Sequence, residues 1–239
     1  MIGKYSLVDV IFVPQGAEYQ AVCQGLSRGG ETIPKVMALP VGPQPVQRFL
    51  QQLLRSGDLH PSSSPRVLVM GLCGSLHPGY SIGDAVFYER CVEHANPLRS
   101  LLCARPLTTA LQKQLPLPIP VVTALTSDRL ISSVREKQRL GQRLGVDVVD
   151  MEGLEALEVL QSVEAAVAML RVISDDCDHD LPNLAAAVSP EGTLRSLPLA
   201  IGMLRQPVAA ARLIRGSLKG LQVLQQLTAD LFCTSSRDS

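Results

Sequence analysis

RVLVMGLCGSLHPGYSIGDAVFYE, residues 66–89, opens as an apolar, β-branched run, passes through two glycines, and returns to a second apolar run. A run of this kind without polar alternation reads as a strand buried on both faces. Similar runs recur at residues 8–13, 35–39, 120–124, 146–151 and 165–174. Between them, residues 17–27, 45–56, 108–114, 133–144 and 153–162 carry apolar residues at helical spacing. Strands alternating with helices predict an α/β layered domain. Residues 1–239 read as one domain, with 194–232 a helical, basic C-terminal extension carrying Arg195, Arg205, Arg212, Arg215 and Lys219. That extension reads either as helices packed on the sheet with their Arg stems along its surface, or as an interfacial membrane helix.

Composition narrows the function. Lys plus Arg and Asp plus Glu both number 22, so the overall charge gives no reason to expect a nucleic-acid partner and favours a small molecule. The six cysteines form no C-x-x-C pair, which fits free thiols in a reducing compartment and predicts a cytoplasmic protein. No stretch of about 18 uncharged apolar residues is present to span a bilayer.

Four strand ends deliver chemistry toward one rim. The first is IFVPQGAEYQAV, residues 11–22, where Glu18 follows a Gly turn at the start of a helix. The second is the Gly-rich segment after residue 70, read as a loop in which Gly71 and Gly74 let the backbone approach a ligand or merely make a tight turn. It lacks the third glycine of a dinucleotide fingerprint and the Lys of a P-loop. The third is VDVVDMEG, residues 146–153, which sets Glu152 at a strand-to-helix junction. A carboxylate there either clamps vicinal hydroxyls or favours the helix N-terminus.

The fourth strand end is RVISDDCDHDLP, residues 171–182, where Asp175 is the first carboxylate past the apolar run. Asp176, Asp178, His179 and Asp180 invite a metal reading, but they are adjacent on one loop, and a calcium loop would need Gly and Glu where Leu181 and Ala187 stand. No metal is assigned, and residues 176–180 read as a solvated loop.

GLCGSL, GDAV, VVDMEG and RVISDD, in that order, resemble the purine nucleoside phosphorylase and uridine phosphorylase superfamily, especially its methylthioadenosine/S-adenosylhomocysteine nucleosidase branch. The resemblance implies a three-layer α/β/α sandwich with a mixed, partly barrel-like central sheet. It also implies cleavage of the bond between a base and ribose without a cofactor, by a homo-oligomer. Carried onto this chain, Asp175 looks like the acid at purine N7, with Ser174 orienting it. Glu18 looks like the base for the attacking water. Met151 would lie under the ribose and Glu152 would hold its hydroxyls. Gly71, Cys73 and Gly74 would line the pocket, and Leu130 and Ile131 would contact the base.

Two departures bear on the reaction. Where phosphorylases carry phosphate ligands, this chain has Gln20 and Leu72, which favours hydrolysis over phosphorolysis. Where nucleosidases carry Phe it has Leu130, so aromatic stacking on the base is lost at that position. A phosphorylase and a catalytically silent nucleoside-binding protein are the rival readings. The C-terminal extension is a candidate cover for a larger or more apolar 5′ substituent.

Overall fold

Each predicted apolar run is a strand, and each divides its side chains between two cores, as a period of two requires. The computed structural model describes residues 6–27, 33–57, 64–182 and 202–232. In chain order the elements are β1 (Val10–Pro14), α1 (Ala17–Leu26), β2 (Lys35–Leu39), α2 (Pro43–Ser56), β3 (Arg66–Ser75) and β4 (Ala85–Glu93). They continue with β5 (Ser100–Leu102), α3 (Arg105–Gln112), β6 (Val121–Thr126), α4 (Val134–Leu144), β7 (Val148–Asp150), α5 (Gly153–Gln161), β8 (Ala166–Asp175) and α6 (Pro207–Phe232). The opening residues 194–201 of the expected extension, with Arg195, lie outside the described residues.

The sheet is mixed, with order β2-β1-β3-β7-β6-β4-β5, and β8 pairs both β3 and β4. β8 runs parallel to β3 and antiparallel to β4. The pairs β3–β7, β7–β6, β6–β4, β4–β8 and β8–β3 therefore close a five-stranded ring, with β1 and β2 extending one side. Val67, Val69, Val167 and Met169 face a core with Leu50 of α2 and Leu157 of α5. Leu68, Met70, Leu170 and Val172 face the opposite core, with Val22 of α1, Leu111 of α3 and Leu224 of α6. A third, smaller core under α4 holds Leu76, Leu125, Ile131, Leu140 and Val149.

One expectation fails here. The segment GLCGS is no loop: β3 runs unbroken through it to Ser75. Its glycines serve clearance inside the sheet. A Cβ on Gly71 would overlap the Arg171 guanidinium and stand 2.9 Å from Glu18 Oε1, and one on Gly74 would stand 2.8 Å from Asp175 Oδ2. α6 is packed into the same body by the same device. Gly216 sits against the Ser174 carbonyl, Gly220 against Leu72, and Thr228 against Gly25 of α1.

Candidate functional site

The carboxyl end of β8 builds one end of the site. Between Cys73 and Gly74 of β3 the register with β8 shifts, so that Cys73 lies opposite Ile173 but Gly74 lies opposite Asp175. β8 thus spends one extra residue, Ser174, in a bulge. Adjacent side chains of a regular strand point to opposite faces, and a bulge relaxes that alternation. Ser174 and its neighbour consequently meet: Ser174 Oγ lies 2.9 Å from Asp175 Oδ1 and 3.2 Å from the Cys73 carbonyl, sharing its one proton between them. The other Asp175 oxygen accepts from Lys137 Nζ, which comes up from α4 fully buried. The same ammonium donates to the Asp176 carbonyl at 2.6 Å.

Asp178, His179 and Asp180 are exposed, as a solvated loop would have them, and the segment 176–181 is also tied to the start of α4. Asp180 Oδ1 accepts the Val134 N–H at 2.7 Å, Leu181 N–H donates to the Ser132 carbonyl at 2.9 Å, and Gln138 Nε2 donates to the Cys177 carbonyl at 3.2 Å. Ser133, at the N-cap position of α4, makes no side-chain cap, so Asp180 supplies it from a distance. Asp176 accepts the Asp178 N–H and lies 3.0 Å from His179 Nδ1. Among the described residues no group of three or more His, Cys, Asp or Glu could hold a metal ion. A crevice of about 350 Å³ opens beside Asp175 between this loop and α6, lined by Ile82, Ser174, Asp175, His179, Arg212 and Lys219.

The other end is built around Arg171. Its guanidinium is fully buried within β8 and donates to Asp150 Oδ2 and to the Met70 carbonyl, each at 3.3 Å. Asp150 in turn accepts from Thr126 Oγ1 at 2.9 Å and from the Gly153 N–H at 3.1 Å. Glu18, half-buried on the first turn of α1, accepts the Leu72 N–H at 2.6 Å. Burial pushes the Glu18 carboxyl up to about 7, against the pull of the Leu72 N–H and of Arg171, and with a push from Glu152. Glu152, buried at the N-cap position of α5, accepts the Gly42 N–H at 3.1 Å. Burial raises its carboxyl above the usual range, while Arg171 opposes that shift and Asp150 adds to it.

The candidates of the sequence therefore fall unevenly. Glu18, Gly71 and Glu152 gather around Arg171; Gly74, Ser174 and Asp175 gather at the β8 bulge. Met151 is partly exposed beside Glu152 and Leu130 is partly exposed in the segment before α4. The Ile131 side chain lies in the core under α4, which leaves only its backbone for a ligand. The Cys73 thiol lies in the core with Tyr88 and Ile173, and burial pushes it well above the ordinary thiol range, so it stays neutral.

Arg171, Asp150 and Lys137 are not among the candidates the strand ends supply, although the sequence carries signals for two of them. Arg171 is the one charge inside the apolar run AVAMLRVIS, and a buried charge needs a partner. Lys137 occupies the inward stripe Val134, Lys137, Leu140, Leu144 of α4.

The sequence model of the phosphorylase superfamily matches residues 3–197. The chain belongs to that superfamily and is an enzyme of it, a nucleosidase or a nucleoside phosphorylase. Among solved structures, the futalosine hydrolase of Helicobacter pylori is similar with a TM-score of 0.68 at 15% identity, covering 93% of this chain and 95% of that one. The 5′-methylthioadenosine/S-adenosyl homocysteine nucleosidase of the same organism gives 0.67 at 16% identity, covering 93% and 97%. A mutant of that nucleosidase with 5′-methylthioadenosine in its active site gives 0.62 at 16% identity, covering 93% and 98%. At such identities these likenesses concern the fold. No curated protein matches the chain. Among the described residues no helix is long and apolar enough to cross a membrane.

Proposed function

We propose that this enzyme hydrolyses the N-glycosidic bond of a purine nucleoside or nucleoside thioether, with Glu18 as the base and Asp175 as the acid. The observation that carries the reading is that two carboxyl groups approach the same strand from its neighbours. Glu18 meets β3 at Gly71 and Leu72, and Asp175 meets it at Gly74. Two to three residues of strand separate the two contacts, roughly 7–10 Å along β3. Glycosidases that invert leave roughly 6.5–9.5 Å between their carboxyls for a water and the reacting carbon. A nucleoside takes its proton at N7 of the base rather than at an atom bonded to C1′, so its acid and base need not meet the same atom.

In this reaction Glu18 takes a proton from water as its oxygen attacks C1′, and the C1′–N9 bond breaks with its electron pair going to the purine. Asp175 donates a proton to N7, and a positioned acid contributes about 10²–10⁴-fold. Glu152 holds the ribose hydroxyls, and the carboxylates stabilise the oxocarbenium-like sugar. Among the described residues Arg171 is the cation bonded at this end, already paired with Asp150 and flanked by Glu18 and Glu152. A phosphate dianion would meet three carboxyl groups for one guanidinium, which favours water as the nucleophile.

The enzyme is read as cytoplasmic and homo-oligomeric. Its single domain includes α6, supported by the close approach of Gly216 and Gly220 to Ser174 and Leu72. The test is base release from inosine, adenosine and methylthioadenosine, with and without phosphate. Equal rates without phosphate are expected, and strict phosphate dependence would turn the assignment to a phosphorylase. With Glu18 titrating near 7, kcat/KM should rise with pH up to that range and then level. Glu18→Gln and Asp175→Asn should each lose about 10²-fold or more in kcat.

A further inference from the structure

We infer that Lys137 is the positioning residue of the acid. It fixes the Asp175 carboxyl toward the base and stabilises the carboxylate that Asp175 becomes once its proton has left. The inference rests on the reading of Asp175 as the acid.

The side chain of a Lys on a surface helix normally runs outward along its apolar stem to water. Lys137 does the opposite, lying with no solvent exposure in the inward stripe of α4, between Val134 and Leu140. Burying an ammonium and a carboxylate together is often no more stabilising than an apolar pair of the same volume. Fold stability alone therefore gives little reason for a Lys here.

Its partners supply a reason. Lys137 Nζ engages Asp175 Oδ2 while Ser174 Oγ engages Oδ1, so the carboxyl is held at both oxygens and its plane is set. Gly74, having no Cβ, leaves room for that plane against β3. The remaining open side of Asp175 faces the crevice. α4 also follows directly on the segment with Leu130 and Ile131. One ammonium thus ties the acid to the chain expected to hold the base.

Chemically, the C1′–N9 bond breaks with its electron pair on the purine, and N7 takes the Asp175 proton. The carboxylate left behind faces a fixed ammonium rather than bare apolar surroundings, which lowers the energy of the charge that develops. Glu18 holds the proton taken from water, and exchange with solvent returns both groups to their starting states.

The experiment uses the full chain and two substrates that differ only in the leaving base. One is a purine nucleoside that the wild type cleaves, and the other its 6-chloropurine counterpart, whose base departs as a more stable anion and needs less acid. Lys137→Gln should lower kcat about 10²-fold on the first and no more than about ten-fold on the second, with KM little changed. Lys137→Arg, which keeps the charge, should recover most of the loss. An equal fall on both substrates, or a change confined to KM, would make Lys137 merely structural and overturn the inference.

If Lys137→Gln does not fold, Lys137→Met, which keeps the length of the stem and removes the charge, takes its place. A loss concentrated on the unactivated base supports the role, and an equal loss refutes it. Asp175→Asn separates the two levels. Should it show the leaving-group dependence that Lys137→Gln lacks, the inference about Lys137 fails and the acid stands; should it lose nothing on either substrate, the acid assignment itself fails.

Discussion

The two ends of the site handle buried charge in opposite ways. Around Arg171, one guanidinium is set among Asp150, Glu18 and Glu152, and Glu18 and Glu152 hold their protons more tightly than free carboxyls do. At the β8 bulge, one ammonium meets one carboxyl group and a backbone carbonyl, with a hydroxyl closing the set. An excess of carboxyl groups suits a base, which must gain a proton, and a cationic sugar beside it. A single cation suits an acid, because it stabilises the carboxylate left once the proton has been given up. The same strand, β8, supplies Arg171 to one end and Asp175 to the other, four residues apart.

Removing the centre of the first end should have the largest effect. Arg171→Met leaves Asp150 buried without its ion partner, and breaking a buried pair in this way costs about 3–5 kcal/mol. Urea unfolding at pH 7 should show that loss, along with loss of nucleoside cleavage. A variant as stable as wild type would mean that the Asp150 bonds to Thr126 and Gly153 suffice on their own.

Next come the two glycines, which break the ends one at a time. Gly71→Ala pushes a methyl into the Arg171 guanidinium and toward Glu18, whereas Gly74→Ala pushes one toward Asp175 Oδ2. Overpacking of this kind costs about 1–3 kcal/mol. Both should lose activity, but only Gly74→Ala should depend on the leaving base, because only it disturbs the acid. Parallel kinetics on the two bases used for Lys137 would check this.

These glycines also mark the limit of what the sequence discloses. The apolar runs were legible as strands because β-branched residues buried on both faces leave little else to read, and the helical stripes of α1, α2, α4 and α5 were equally plain. β5, three residues long, is too short for any period to register. GLCGS read as a loop because glycine ordinarily breaks a strand, and nothing local reports that Arg171, Glu18 and Asp175 arrive from elsewhere to occupy the missing Cβ positions. The bulge at Ser174 was likewise hidden, since it exists only in the pairing of β8 with β3. Glu18, Glu152 and Asp175 could be picked out because each stands at the end of an apolar run. Arg171 lies inside such a run and Lys137 among the charged residues of a helix, where neither position by itself marks a site.

A smaller effect is expected at the rim of the second end. Asp180→Ala removes the distant cap of α4, and losing an N-cap costs about 0.5–2 kcal/mol. Lys137 still ties α4 to Asp176, so stability should fall by that amount while kcat stays within about two-fold, an allowance well below the effect of a lost acid. A large fall in kcat would show that the geometry of Asp175 depends on the whole 176–181 segment rather than on Lys137.

The smallest effect concerns the sign of a pH dependence at the first end. Glu18 titrates near 7 in the folded chain, above the ordinary Glu value of 4.5. As pH rises past 4.5 the unfolded chain gains by ionising this group and the folded chain does not until about 7, so folding loses stability across that window and stays at the lower level above it. Glu18→Gln cannot ionise and escapes the loss. The melting temperature of Glu18→Gln minus that of wild type should therefore be more positive at pH 8 than at pH 5. The partial exposure of Glu18 screens the effect to a modest size. Glu155, which burial also raises to about 7, is present in both proteins and cancels in the difference. A difference that is flat, or that falls with pH, would mean that Arg171 and the Leu72 N–H hold Glu18 ionised as an ordinary carboxylate, and the contrast between the two ends would then rest on geometry alone.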